Sequence, residues 1–193
     1  MRTKARIFRA ITGLVILTST GVLFGCSGDE QPAIETAAPA PARGAELLKP
    51  FKKELMHALQ ASIESGGPLE AMTVCNLEAP MIAESNSTEG VRVGRSSHKL
   101  RNPTNAPSAW VKPVLDAYVS DPEQRKPRTI ELGDNRLGYI EPIYVKPMCL
   151  PCHGREISED VAAKLAELYP DDAATGFAAG EFRGVFWVEY PAN

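Results

Sequence analysis

The chain has 193 residues, 44% of them hydrophobic, 23% charged and 7% aromatic, with a formal net charge of -3. This composition excludes a disordered chain and a bundle of membrane helices, and the length fits one compact domain with appendages rather than two cores. Arg2, Lys4, Arg6 and Arg9 meet no acidic residue before Asp29, and without them 17 Lys and Arg stand against 24 Asp and Glu. The body therefore carries about -7, which argues against nucleic acid as its partner.

In chain order, the basic start is followed by an apolar stretch over residues 10–24, too short for a comfortable bilayer span and of the length of a secretion signal. It ends in Leu23-Phe24-Gly25-Cys26, which resembles the bacterial lipoprotein lipobox, where a cysteine thiol takes a diacylglyceryl group before cleavage; Phe24 is bulkier than that pattern usually places there. The plainer reading is a signal peptide with an incidental cysteine. Lipidated Cys26 would anchor the protein to a membrane facing the periplasm, since several acyl chains hold stably where one does not. Ser27 rather than Asp follows it, which favours the outer membrane. Residues 26–44, rich in Ala and Pro, read as a flexible linker, so the expected organisation is a leader over 1–25, anchor and linker over 26–44, and a folded domain over 45–193.

Leu48, Phe51, Leu55, Ala58 and Leu59 make a helical stripe over 45–65, interrupted early by Pro50 and stopped by Gly66-Gly67. Pro68 opens a second helix whose apolar face holds Met72, Cys75, Ala79 and Ile82, so Cys75 is expected to point inward. Residues 91–96 alternate as a strand, 100–107 form a turn-rich loop with two prolines, and 108–119 read as a helix kinked by Pro113. Strands are expected over 129–132, 137–145 and 185–190, the first two joined by a Gly133-Asp134-Asn135 turn. Ser158 caps a helix through Leu168 that Pro170 ends. Helices followed by a small antiparallel sheet with helical insertions give an α+β domain.

Cys149-Leu150-Pro151-Cys152-His153 is a C-x-x-C-H run. Two thiols at this spacing can add across the two vinyl groups of one porphyrin, and the next residue places an imidazole under the iron; this is the attachment pattern of c-type haem. Such attachment happens outside the cytoplasm, so the export signal and the motif support each other. Two competing readings are a thioredoxin-like redox pair, which normally sits in an alternating α/β unit, and a zinc site from Cys75, Cys149, Cys152 and His153. Cys75 has no disulfide partner left: it is either a small core residue or an axial ligand opposite His153, with His98, His57 and Met72 as rivals and Met148 too near the attachment site to reach the other face. Arg92, Arg95, Lys99 and Arg101 stand around the Asn-Pro loop, and Arg95 and Arg101 suit haem propionates. Trp110, Phe182, Phe186 and Trp187 read as core aromatics, some of them touching the porphyrin.

The runs Gly66-Gly67-Pro68, Ala71-Met72-Thr73-Val74-Cys75-Asn76, Val93-Gly94-Arg95-Ser96-Ser97-His98-Lys99-Leu100-Arg101-Asn102-Pro103-Thr104-Asn105-Ala106-Pro107, the C-x-x-C-H, Tyr169-Pro170-Asp171-Asp172-Ala173-Ala174-Thr175-Gly176-Phe177 and Gly180-Glu181-Phe182-Arg183-Gly184 follow in order over residues 46–191. Together they resemble the single-haem c-type cytochrome family with a PAS-like domain (Tll-type). The resemblance implies a PAS-like sheet binding one covalent haem, with His153 and, on the early helix, Cys75 as iron ligands. It also implies use as a sensory input domain. A thiolate ligand lowers the potential relative to a His/Met haem and can leave on reduction, opening a place for a diatomic gas. The sequence thus leads to a redox or gas sensor with an unidentified redox or signalling partner, and otherwise to an electron carrier. An enzyme ranks third, because no second histidine or acid is placed as a distal catalyst.

Overall fold

The computed structural model describes residues 40–193; the leader, Cys26 and most of the expected linker lie outside the described residues. The first helical run, α1 (Ala40–Thr73), begins inside the stretch read as linker and continues through Pro50. Pro50 and Glu46, whose carbonyl loses its partner there, are both exposed, so water satisfies the group that proline orphans. The only non-helical backbone in the run is at Gly67 (φ 71°, ψ -160°), a conformation glycine tolerates and other residues resist, and it divides α1 into two limbs. Pro68 then opens the second limb, where its missing N–H costs nothing.

Beyond Thr73 the helix widens into a π turn, Val74–Glu78, before α2 (Ala79–Ser85). The cause lies in Pro80. In regular α register its ring would collide with the carbonyl of Asn76, and the wider turn, closed by the Ala79 N–H donating to Val74 O, moves that carbonyl aside. As a result Val74 is buried while Cys75 is only partly so, and Leu77 is 60% exposed.

Four strands, β1 (Arg92–Ser96), β2 (Arg128–Gly133), β3 (Arg136–Tyr144) and β4 (Phe182–Pro191), form an antiparallel sheet in the order β1-β4-β3-β2. The turn between β2 and β3 has positive φ at Gly133, Asp134 and Asn135, as its residue types led one to expect. The helix α3 (Val111–Ser120) is unbroken, and the kink expected at Pro113 is absent because the helix starts at Val111. Pro113 therefore falls in the first turn, where no N–H is needed. Between β3 and β4 lie two further helices, α4 (Leu150–His153) and α5 (Glu159–Leu168), and three-residue 3-10 turns start at Pro103, Pro122 and Pro147.

Each face of the sheet has its own helical cover. Leu48, Phe51 and Leu55 of α1 with Ala79 and Ile82 of α2 pack on Val93, Tyr139, Val188 and Tyr190. Across the sheet, Val111, Val114, Leu115 and Tyr118 of α3 pack on Ile140, Phe182 and Val185. The alternation of Val185 with Phe186 and Val188 along β4 is the period-two pattern of a strand buried on both faces. A third cluster, Met72, Val161, Leu165 and Tyr169 with Cys152 against it, brings α5 and the segment after β3 onto the second limb of α1. This is an α+β fold, and the third cluster places the C-x-x-C-H segment opposite the π turn.

Candidate functional site

Between the second limb of α1, the loop after β1 and the segment after β3 lies a cleft of about 1420 Å³ counting its mouth. Cys75, Cys149, Cys152, His153, Arg95 and Arg101 all line it, from three separate parts of the chain. His98 and His57 do not; Met72, Met56 and Met148 do.

The C-x-x-C-H segment is held from below. Phe177 N donates to His153 O at 3.0 Å, Gly176 N to Gly154 O at 2.9 Å, and Arg101 Nη2 to Cys152 O at 2.5 Å. Gly154 caps α4 where a Cβ would stand 2.6 Å from Leu150 O, so no larger residue fits without moving the backbone. His153 Nδ1 lies 2.6 Å from Ala174 O. A carbonyl only accepts, so Nδ1 carries the proton and Nε2 keeps its lone pair, which makes no hydrogen bond among the described residues. Burial, with Arg101 and Arg183 adding to it, pushes the His153 pKa down to about 3. The imidazole is thus a neutral donor of fixed tautomer, the state a metal requires.

Arg101 is committed elsewhere than to the cleft. Its Nε and Nη2 reach Asp172 Oδ2 at 3.1 and 2.9 Å, and both side chains are more than nine-tenths buried. The other Asp172 oxygen accepts from Ala174 N at 2.8 Å. One ion pair therefore ties the Cys152 carbonyl and the carbonyl that orients His153 into a single unit. The Arg95 side chain, by contrast, has no ion pair or hydrogen bond among the described residues and borders the cleft with its charge free. Arg183 also lines the cleft; its Nη1 donates to Ser97 Oγ at 2.5 Å and Lys99 O at 3.0 Å. Burial and the charges of Arg95 and Arg101 lower its pKa to about 10. The roles of Arg183, Asp172 and Ala174 were not read from the sequence. The one local signal was an arginine inside an otherwise apolar strand, Phe182-Arg183-Gly184-Val185-Phe186.

Of the aromatics expected near the site, Phe186 borders the cleft, edge-on to Phe51 at 5.8 Å. Trp110, Trp187 and Phe182 belong to the α3 face, where alternation along β4 turns their neighbours away from it. His98 is stacked on Phe182 at 5.5 Å, outside the cleft. Its pKa is lowered by burial first and then by Arg183, Lys99 and Arg125.

This geometry separates the competing chemistries. Cys75, Cys149, Cys152 and His153 surround a volume and do not converge: among the described residues no three of His, Cys, Asp or Glu are grouped closely enough to hold one ion. A tetrahedral zinc site requires such convergence. Burial raises the Cys152 pKa, and the segment carrying the pair follows an antiparallel sheet rather than sitting in an alternating α/β unit. The walls bring two motif thiols, the Nε2 of His153, Cys75 and the guanidinium of Arg95 to one cleft.

A family model described as Tll0287, for the Tll0287-like family, matches residues 33–191. Among solved structures, the chain is similar to the cyanobacterial haem protein Tll0287, seen in its crystal structure, with 24% identity and a TM-score of 0.57 over 77% of this chain and 92% of that one. At that identity the likeness bears on the fold. No curated protein matches the chain.

Proposed function

The chain belongs to the Tll0287-like family, and from that membership we propose that its cleft binds one haem, joined covalently to Cys149 and Cys152, with His153 and Cys75 as axial ligands. The observation that carries this reading is that both motif thiols, the free Nε2 of His153 and Cys75 meet one large cleft from different elements. The haem named in the solved relative's title supports it. Bound haem supplies a one-electron couple and an iron position at which a diatomic ligand can bind.

The chain's own residues tune that chemistry. His153, oriented by Ala174, donates from one side, and its hydrogen bond to that carbonyl makes it the more basic ligand. Cys75 approaches from the π turn as thiolate, favouring the ferric state and lowering the potential. With haem bound and reduced, Cys75 would be held less strongly as a thiolate and would be free to take up a proton. Arg95 pairs with a propionate, with Arg183 beside it, while Arg101 holds the attachment helix in place. Loss of Cys75 as a ligand would release the π turn that carries it, and α2, which continues directly from that turn, would report the change at the surface. The protein is held at the periplasmic side of a membrane through lipid on Cys26, the outer membrane by the Ser27 argument; the basic start and Leu23-Phe24-Gly25-Cys26 support this. A simple electron carrier is the second reading, favoured by ring contacts that lead from His153 to the surface.

A redox titration with spectra in both states, with and without carbon monoxide, tests the proposal. Thiolate-type ferric spectra, Cys loss on reduction and carbon monoxide binding are expected. A Cys75→Ala protein with ferric and ferrous spectra matching the wild type overturns the ligand assignment, and a reduced state that ignores carbon monoxide overturns sensing in favour of the carrier.

A further inference from the structure

We propose that the surface around His98, Lys99 and Arg125 is where an acidic one-electron partner protein docks, exchanging its electron with the haem iron through Phe177 and His153. The inference rests on the haem reading of the cleft and adds an entry point to it.

Two independent features meet at this edge. The first is a continuous run of ring contacts. The His153 and Phe177 centroids are 6.5 Å apart at 78°, those of Phe177 and His98 are 6.1 Å apart at 83°, and His98 lies parallel to Phe182 at 5.5 Å. Phe177 is buried and His98 is exposed, so the run begins at the proposed iron ligand and ends in solvent. The backbone follows the same course, since Phe177 N donates to His153 O at 3.0 Å. Electronic coupling decays steeply with each gap between groups, and packed rings with a hydrogen bond alongside keep the gaps small.

The second feature is charge without counter-charge. Lys99 Nζ donates to Thr175 O at 3.1 Å and lies 4.8 Å from the Phe177 ring centre. Arg125 donates to Tyr118 O at 2.6 Å and covers Phe182 at 4.9 Å. Arg183, just beneath, bonds Ser97 and the Lys99 carbonyl. Among the described residues none of these three cations is in an ion pair. The adjacent carboxylate, Glu181, is taken by Arg155 at 3.1 Å, and Asp172 by Arg101. On a body carrying about -7, a cationic edge fixed by carbonyls and ring faces is selective for an acidic surface, and steers it to the exposed end of the ring run. In the reducing direction the partner loses one electron and ferric iron gains it; the oxidising direction reverses both, and no bond or proton of this chain changes at the docking face.

Stopped-flow oxidation of the reduced haem-loaded protein by two small one-electron oxidants, ferricyanide and hexaammineruthenium(III), tests this. Ferricyanide should react more slowly as salt rises, the sign of attraction despite the negative body, and should slow about tenfold at low ionic strength in Lys99→Gln/Arg125→Gln. Hexaammineruthenium(III) should not slow in that variant, and Lys112→Gln, which removes a charge on α3, should change neither rate. His98→Ala, at an exposed position that does not threaten folding, should slow ferricyanide. A redox-inert anion, hexacyanocobaltate(III), should shift the His98 ring resonances in the wild type and not in the double variant. A ferricyanide rate that rises with salt, or is unmoved by both the double variant and His98→Ala, overturns the proposal, and so does anion binding at His98 without any effect on rate. Protein that purifies without a haem band fails the reading of the cleft instead, and its anion titration still reports on the charged edge.

Discussion

Asp172→Asn tests the claim that one buried ion pair holds the attachment segment. Arg101 and Asp172 are 8% and 9% exposed and meet at 2.9 Å, and Arg101 also holds the Cys152 carbonyl. Asparagine keeps an oxygen for Ala174 N but leaves the guanidinium buried without a counter-charge. Losing one partner of such a pair costs about 3–5 kcal/mol, whereas replacing both by apolar groups of similar size is often near neutral. For a domain of this size each kcal/mol moves Tm by roughly 2–4 °C, so Asp172→Asn should melt about 10 °C early. Arg101→Met and Asp172→Leu alone should each cost a similar amount, and Arg101→Met/Asp172→Leu should lose less than either, a coupling of about 3 kcal/mol or more. Urea unfolding, followed by the fluorescence of Trp110 and Trp187 in a Cys149→Ser/Cys152→Ser background, separates stability from haem content. A loss under about 1 kcal/mol for Asp172→Asn, with additive single variants, would refute the reasoning.

Three further outcomes follow from the same geometry. In the haem-free Cys149→Ser/Cys152→Ser protein the folded His153 pKa of about 3 lies below the ordinary 6.5, so the unfolded chain binds a proton that the folded chain refuses. Stability should hold above pH 6.5 and fall by about 4 kcal/mol as pH drops towards 3, and His153→Gln should flatten that part of a urea-midpoint profile. Gly184→Ala would place a Cβ 2.2 Å from Ser96 O at φ 155°, so the β1 and β4 pairing should shift and the protein lose upwards of about 2 kcal/mol in urea unfolding. Trp110→Phe removes the indole N–H bond to Glu189 at 2.6 Å and should cost about 1.5–3 kcal/mol by the same measurement.

Local chemistry was the legible part of this chain. The break at Gly66-Gly67 and the turn at Gly133-Asp134-Asn135 each follow from residues adjacent in sequence, and each appears where expected. Proline was misread in two places because its effect depends on where a helix starts and what solvent reaches. Pro50 lies on an exposed face and is carried through, and Pro113 falls in a first turn. The π turn at Val74–Glu78 needed Pro80 to be weighed against the carbonyl four residues back, which helical periodicity ignores. Arg101 looked like a free cation beside a loop because its partner, Asp172, is 71 residues away. Separation along the chain likewise hid Arg183, 86 residues from Ser97, and the Ala174 carbonyl, 21 residues from His153: tertiary contacts, not propensities, decide which cations face a cleft and which face a carboxylate.

Intact-mass spectrometry of the denatured protein, produced in the periplasm of a host with c-type maturation machinery, addresses the account most directly. The prediction is one haem's added mass that survives denaturation in the wild type, persists in Cys75→Ala and is absent from Cys149→Ser/Cys152→Ser. Unmodified mass in the wild type, or an adduct that the paired serine substitutions leave in place, would contradict it.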